Sequence, residues 1–296
     1  MVQSWLVLAL GATSSFAAAG ILDRVLVRRF QSSASYLVAL IIFQQIFNLG
    51  LIAWQGLHLT IPWSLWAAAA GVLQLVLWAA YVKALQVEEV SRVTALVFVY
   101  PLLTLLGSVL FLGESLTWAK AAGGIALVLS AVLISYRRSS SSASPFSPAL
   151  KYLAVFWISV SVYSLTSKHL LQFMDEWQLV IWSSFGNLAI LSLLFIPGVR
   201  GEVAGFVSQG RSGVATLLLE EALDLFGRAG MIFAYAAGSV YLVSAVSALQ
   251  PLIVLIYVLL IGRILPDLLE EETEGPALAT KLCAVVMVAA GLYLVT

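Results

Sequence analysis

The chain has 296 residues, of which 61% are hydrophobic and only 10% charged, with 15 Lys and Arg against 15 Asp and Glu. A soluble domain carries about 25% charged residues, so a mean hydropathy of +1.02 excludes a soluble globule. Zero net charge without a basic block argues against nucleic acid as a partner, and the single cysteine, Cys283, excludes an intrachain disulfide or a cysteine-built metal cluster.

Ten apolar segments follow in chain order, at 4–23, 35–54, 62–84, 91–112, 118–136, 150–170, 177–197, 212–236, 240–262 and 277–295. About 20 apolar residues cross a ~30 Å bilayer core. Lipid cannot satisfy an open strand edge, so each is expected to be helical. The breaks carry turn chemistry at Gln31-Ser32-Ser33, Gly56 with Pro62, Gly113-Glu114, Pro197-Gly198 and Gly238-Ser239. The run 137–148, with six serines and two prolines, reads as a linker near the centre of the chain. The first segment, with Ser15-Phe16-Ala17-Ala18-Ala19 near its end, has the form of a cleavable leader. No Lys or Arg precedes it, so a retained helix is the preferred reading.

An internal repeat organises these segments. At an offset of 150, Ala84, Ser91, Ala95 and Pro101 match Ala234, Tyr241, Ala245 and Pro251. Upstream, 37–45 matches 179–187 at an offset of 142, pairing Gln45 with Asn187. The expected architecture is an all-α membrane protein of ten transmembrane helices: a five-helix repeat at 1–136, the linker at 137–148 and a second five-helix repeat at 149–296. An odd number of spans per half inverts the second half, a plan used by many secondary transporters. With the N-terminus outside, twelve of the fifteen cations fall in inner loops and two, Lys120 and Lys168, fall outside. Because Lys and Arg favour the cytoplasmic side, both termini are expected outside a cell (inner) membrane crossed many times.

At the end of the fourth segment stand Leu112-Gly113-Glu114-Ser115-Leu116-Thr117, then Gly123-Gly124, with Pro101 upstream. This pattern resembles the EamA branch of the drug/metabolite transporter superfamily, and the resemblance extends over nearly the whole chain. It implies two five-helix repeats and export or exchange of a small metabolite, from a range spanning amino acids, drugs and sugar nucleotides. Two features depart from the family. The second half reads Gly262-Arg263-Ile264-Leu265-Pro266 and an acidic run through Glu274 in place of the Gly-Glu motif. Ten-helix relatives usually keep both termini in the cytoplasm, whereas the charges here place them outside.

The eighth segment carries Glu220, Glu221, Asp224 and Arg228. At about 100° per residue they share one sector of the helix, and at ~1.5 Å per residue Asp224 lies roughly 18 Å from Ser212. A charge at a helix centre costs about 2.5–3.5 kcal/mol, so four on one face point to the bundle interior or a wet cavity. They are candidate substrate contacts, with Arg228 as ion-pair partner or as anchor for a substrate carboxylate. A carboxyl that takes up a proton during the cycle would suit proton coupling or recognition of a cation. The alternatives are an internal ion-pair network, or a span that starts later and leaves Glu220 and Glu221 at its cytoplasmic end. At the offset of 150, Gln74 matches Asp224, so Gln74 joins the candidate site, with an interhelical hydrogen bond as its alternative. Gln45 and Asn187 read as helix glue.

Asp23-Arg24 and Lys168-His169 close the first helix of each half and are gate candidates, with interfacial snorkelling as the blander reading. Pro101 and Pro251 fall inside the fourth span of each half, where each should kink its helix, for rocking or for packing. Gln250 and Tyr235 are further candidate substrate contacts. Gly11, Ser15, Ala19, Ala67 and Gly71 read as close-packing positions. Glu114 is expected to cap or brace its loop. The acidic run 270–274 reads as a solvated loop.

No cofactor is called for. A secondary active transporter is the leading expectation, handling a small-molecule substrate, with proton coupling open and the bilayer as its environment. A channel, a scaffold or an intramembrane enzyme are the alternatives. The sequence has no G-x-S-x-G elbow, no HExxH and no phosphate-binding loop.

Overall fold

The computed structural model describes residues 4–27, 29–88, 93, 96–135, 149–208, 210–261, 283, 286–288 and 290–294. Among them all regular structure is helical. The elements are α1 (Ser4–Val27), α2 (Ser33–Gln55), α3 (Trp63–Val87), α4 (Tyr100–Leu112), α5 (Trp118–Ser135) and α6 (Leu150–Leu170). There follow α7 (Glu176–Asn187), prolonged by a 3-10 helix over Leu188–Phe195, then α8 (Pro197–Ser208), α9 (Arg211–Ala237), α10 (Val240–Ser247) and α11 (Gln250–Ile261).

Six helical stretches among the described residues are long and apolar enough to cross a membrane: Ser4–Val27, Ser33–Gln55, Trp63–Val87, Leu150–Leu170, Glu176–Phe195 and Val240–Val258. Helices α4 and α5 are apolar but shorter. With 27 residues, α9 is about 40 Å long but carries the charged face. The chain is therefore a multi-pass membrane protein. The expected tenth span is represented by helical residues at 283, 286–288 and 290–294. The linker 137–148, Arg263 and the acidic run 270–274 lie outside the described residues.

Two expectations need correction, and a third is refined. The stretch 197–208 was expected as a connection, yet it forms α8, whose Val199, Val203 and Phe206 are buried. Residues i, i+4 and i+7 make one apolar stripe, enough for a short helix lying on the bundle. At Pro101 and Pro251, where kinks are expected, the helices are locally interrupted, although Val99 and Ala248 keep right-handed helical dihedrals. Turns at 98–99 and 248–249 interrupt both helices, and each proline takes the second position of the helix that follows, at Tyr100–Leu112 and Gln250–Ile261. Proline has no N–H to donate and is pre-set for a first turn, so it starts a helix more readily than it bends one. Gly11 is exposed and a side chain there would meet nothing within 4 Å, so it is not a packing position.

Other small residues behave as expected. Helices α3 and α7 cross so closely that a Cβ on Gly71 would stand 1.9 Å from the Ser183 carbonyl oxygen, and one on Gly186 would stand 1.9 Å from that of Ala68. Ala67 in the same stripe is fully buried. Helix α1 runs along α9, with Ala9, Ala12, Ala17 and Ala19 buried.

The two halves are joined at both ends of the bundle. At one end, Gln178 of α7 donates to the Gly56 carbonyl at 3.1 Å and accepts from the His58 N–H at 3.0 Å. Trp63 stacks on Phe173 with ring centroids 3.8 Å apart. The Tyr241 hydroxyl donates to the Lys120 carbonyl. At the other end, Phe30 stacks on Phe206 at 4.6 Å. Helix α8 lies there, and Glu202 accepts from the backbone N–H groups of Gln31 and, at 3.2 Å, Ser32. Ser32 in turn caps α2 by accepting from Ala34 N–H at 3.1 Å.

Burial works against ionisation of Glu202, but bonds from Ser35, Gln31 and Ser32 outweigh it and hold its carboxyl below the usual range. A depressed carboxyl stabilises the fold above its unfolded pKa, and that stabilisation is lost as pH falls through the folded value. Glu202→Gln should therefore lower the melting temperature at neutral pH, and the gap to wild type should close below about pH 4.

Candidate functional site

Arg211 opens α9 and is exposed, whereas its other four charged residues, Glu220, Glu221, Asp224 and Arg228, face inward. Glu220 and Glu221 are 4% and 3% exposed, and the side chains of Arg228 and Asp224 are 10% and 17% exposed. One turn apart, Asp224 and Arg228 form an ion pair, with Nε donating to the carboxylate at 2.5 Å. Arg228 also reaches across to α7, where Nη1 donates to Ser184 Oγ at 3.0 Å. The helical spacing of these residues thus produces one buried face, as expected.

The structure adds to this face a residue from the first half. Asp23 lies on α1, which continues to Val27, so it is inside the helix and not at its end. Its carboxyl accepts the Tyr36 hydroxyl from α2 and neighbours the carboxyls of Asp224 and Glu220 on α9. Asp23 therefore belongs with the acidic face rather than standing alone as a gate. Its position in an apolar helix signalled its importance; which partner it meets, almost 200 residues away, carried no local signal. Tyr36 and Ser184 were missed for the same reason. The side chain of Arg24 lies outside the described residues.

A second polar layer adjoins the first. Asn187 Nδ2 donates to Gln74 Oε1 at 2.9 Å and to Gln44 Oε1 at 3.1 Å. Gln45 Nε2 donates to the Ser184 carbonyl at 3.0 Å, and Asn48 Nδ2 to Gln45 Oε1 at 3.2 Å. Amides of α2, α3 and α7 are thus bonded across the two halves. Ser184 links the layers, since its carbonyl holds Gln45 and its hydroxyl holds Arg228. Gln74 takes the interhelical bond that was its alternative reading, next to the charged face rather than within it.

Other candidates lie apart from the carboxyls. Tyr235 shares a 3.1 Å hydroxyl contact with Ser164 of α6. Gln250 Nε2 donates to the Phe16 carbonyl of α1 at 3.4 Å, tying the halves together. The two helix breaks meet directly, because the Tyr100 hydroxyl contacts Ser247 Oγ. The Tyr100 carbonyl accepts from Ser161 Oγ at 3.2 Å, and the Leu96 carbonyl accepts from Trp157 Nε1 at 2.8 Å. Carbonyls near the Pro101 break thus find partners on α6.

Lys168 and Glu114 hold the Gly238–Ser239 turn from both sides. Lys168 Nζ donates to the carbonyls of Tyr235 at 2.5 Å and Gly238 at 2.8 Å, at the C-terminus of α9. Glu114 accepts from Ser239 Oγ at 2.5 Å and from the Val240 N–H at 2.9 Å, at the N-terminus of α10. Each charge sits at the helix end whose dipole favours it. Gly113, at φ 63°, supplies the left-handed step that ends α4 and aims Glu114 across to the other half. Glu114→Ala removes this cap and should cost about 0.5–2 kcal/mol, read as a lower melting temperature in detergent.

Among the described residues, no group of three or more His, Cys, Asp or Glu side chains is placed to hold a metal ion. Among the described residues, six stretches long and apolar enough to cross a membrane, around a buried charged seam, point to a polytopic membrane protein with a polar core. Residues 3–136 match the EamA-like transporter family. A solved crystal structure, 18% identical, superposes with a TM-score of 0.68 over 99% of this chain and 100% of its own, showing a shared fold. Comparison with curated proteins gives no match.

Proposed function

We propose that this protein is a secondary active transporter that exports or exchanges a small polar metabolite by alternating access, with its site where the two halves meet. One observation carries the reading: ionisable side chains of both halves are brought together inside the bundle, Glu220, Glu221, Asp224 and Arg228 from the middle of α9 and Asp23 from the last turns of α1. Such residues inside a membrane face the bundle interior and mark solute or ion pathways. The EamA match supports the class. The inverted-repeat reading draws support from breaks at the matching positions before Pro101 and Pro251, since discontinuous helices line sites in such transporters.

The carboxylate bridges suit this cycle. Glu114 bridges the halves at one end of the bundle and Glu202 bridges them at the other. Opening either mouth would release one while keeping the other. In this reading both termini lie outside the inner membrane, following the Lys and Arg distribution, and a proton is the coupling ion.

Counterflow in proteoliposomes tests the proposal. A panel of amino acids and related metabolites should show saturable exchange. Ion conductance instead would mark a channel, and neither signal would leave a scaffold. Asp224→Asn and Glu221→Gln should each abolish exchange while the protein still elutes as a single folded species. Unchanged exchange in both would remove the site.

A further inference from the structure

We propose that the cleft between α8 and the start of α2 holds the headgroup of a phosphatidylethanolamine lipid, with its ammonium against Glu202 and its phosphate at the N-terminus of α8. The proposal is independent of which solute the protein carries. The cleft has a volume of about 500 Å³ and opens to the surface. Its lining combines the oxygen-bearing side chains of Gln31, Ser32, Ser35 and Glu202 with the first turn of α8. Its level in the membrane follows from the helices beside it. The membrane-length stretch Ser33–Gln55 begins at the cleft, and the stretch Glu176–Phe195 ends at it. Such apolar runs begin and end where hydrocarbon gives way to headgroups. Phe195 and Ile196, 90% and 51% exposed, offer acyl chains an apolar edge there.

The chemistry of the lining selects one headgroup. Glu202 receives the N–H groups of both Gln31 and Ser32 on a single oxygen, Oε1. An ionised carboxylate accepts at about four positions, so it has capacity left for a donor in the cleft. Ser35 is fully buried and lines the cleft, and among the described residues no donor reaches its Oγ. A primary ammonium supplies three N–H donors and a positive charge to these acceptors. The start of α8 offers the opposite preference. The first N–H groups of a helix have no partner within it, and its dipole favours an anion there. Ile196, the residue before α8, has no side-chain oxygen to cap them. Arg200, exposed on the same turn, adds a full positive charge. A Cβ at Gly198 or Gly201 would meet nothing within 4 Å, so a phosphate reaches this backbone unobstructed. Along α8, Glu202 stands about 6 Å from Gly198, a gap that an aminoethyl phosphate spans with its two charges. Phosphatidylglycerol would bring no cation to Glu202, and phosphatidylcholine no N–H to Glu202 or Ser35.

The test uses the purified full chain in detergent, titrated with didecanoyl phosphatidylethanolamine, phosphatidylcholine or phosphatidylglycerol. Melting temperature is read against the same protein without lipid. Phosphatidylethanolamine should stabilise saturably, with half-saturation about tenfold lower than for either other lipid, the equivalent of one hydrogen bond to a charged group. Glu202→Gln should remove most of the preference over phosphatidylcholine. Gly201→Leu places a side chain in the open cleft and replaces a helix glycine, so it should fold and lose the saturable response. Equal half-saturation for phosphatidylethanolamine and phosphatidylcholine, or tighter phosphatidylglycerol, would overturn the proposal. So would an undiminished preference in Glu202→Gln or an unchanged response in Gly201→Leu. If Glu202→Gln does not fold, Gly201→Leu decides. The soluble headgroup sn-glycero-3-phosphoethanolamine should give no stabilisation at the lipid's half-saturating concentration, and an equal response would reject the lipid as occupant.

Discussion

Arg228→Leu is expected to be the most damaging change in the charged core. The guanidinium is 10% exposed and holds both Asp224 and Ser184. Its removal leaves Asp224 facing Glu220, Glu221 and Asp23 with no compensating cation in that face. Removing one partner of a buried ion pair costs about 3–5 kcal/mol, because the survivor remains buried and unpaired. The measurement is thermal unfolding in detergent, with size-exclusion elution as the check on folding. Pairing the change with Asp224→Asn removes the orphan charge and should recover most of the loss. This double variant also separates two roles. If the pair is an internal brace, a folded double variant keeps counterflow. If it belongs to the pathway, the protein folds and counterflow is lost.

Gly71→Ala or Gly186→Ala should have an effect of similar size for a steric reason. The new methyl would stand 1.9 Å from a carbonyl oxygen of the facing helix in either case. Backbone cannot step aside as a flexible side chain can, so α3 and α7 must separate. Overpacking typically costs about 1–3 kcal/mol. Separation would also stretch the 2.9 Å bond between Asn187 and Gln74. The matched control is Gly11→Ala, where nothing lies within 4 Å. It removes only the helix penalty of glycine, so it should be neutral or stabilising by up to about 1 kcal/mol. Equal melting temperatures for Gly71→Ala and Gly11→Ala would show that the crossing is not as close as described.

Much of the helix pattern was legible without coordinates. The segments at 35–54, 62–84 and 150–170 correspond to α2, α3 and α6, because runs of about 20 apolar residues have few alternatives in lipid. The shared face of Glu220, Glu221, Asp224 and Arg228 was legible for a similar reason, since the helical period alone sets it. Helix α8 was not, because Pro197-Gly198-Val199-Arg200-Gly201-Glu202 reads locally as turn chemistry and its apolar stripe acquires meaning only against α2. The role of Glu114 was half legible. Its position beside Gly113 marked a cap, but the helix it caps lies in the other half of the chain.

The sequence by itself determined that this is a helical membrane protein with four charges on one face of its eighth segment. These properties depend on composition and on periods of a few residues, which any short window contains. Only the tertiary structure decided that Asp23 and Tyr36 complete that face, that Arg228 is held by Ser184, and that Glu114 and Glu202 bridge the halves at opposite ends. Those contacts join residues far apart in the chain. They arise from how helices cross, and crossing depends on details such as the absence of a Cβ at Gly71 and Gly186.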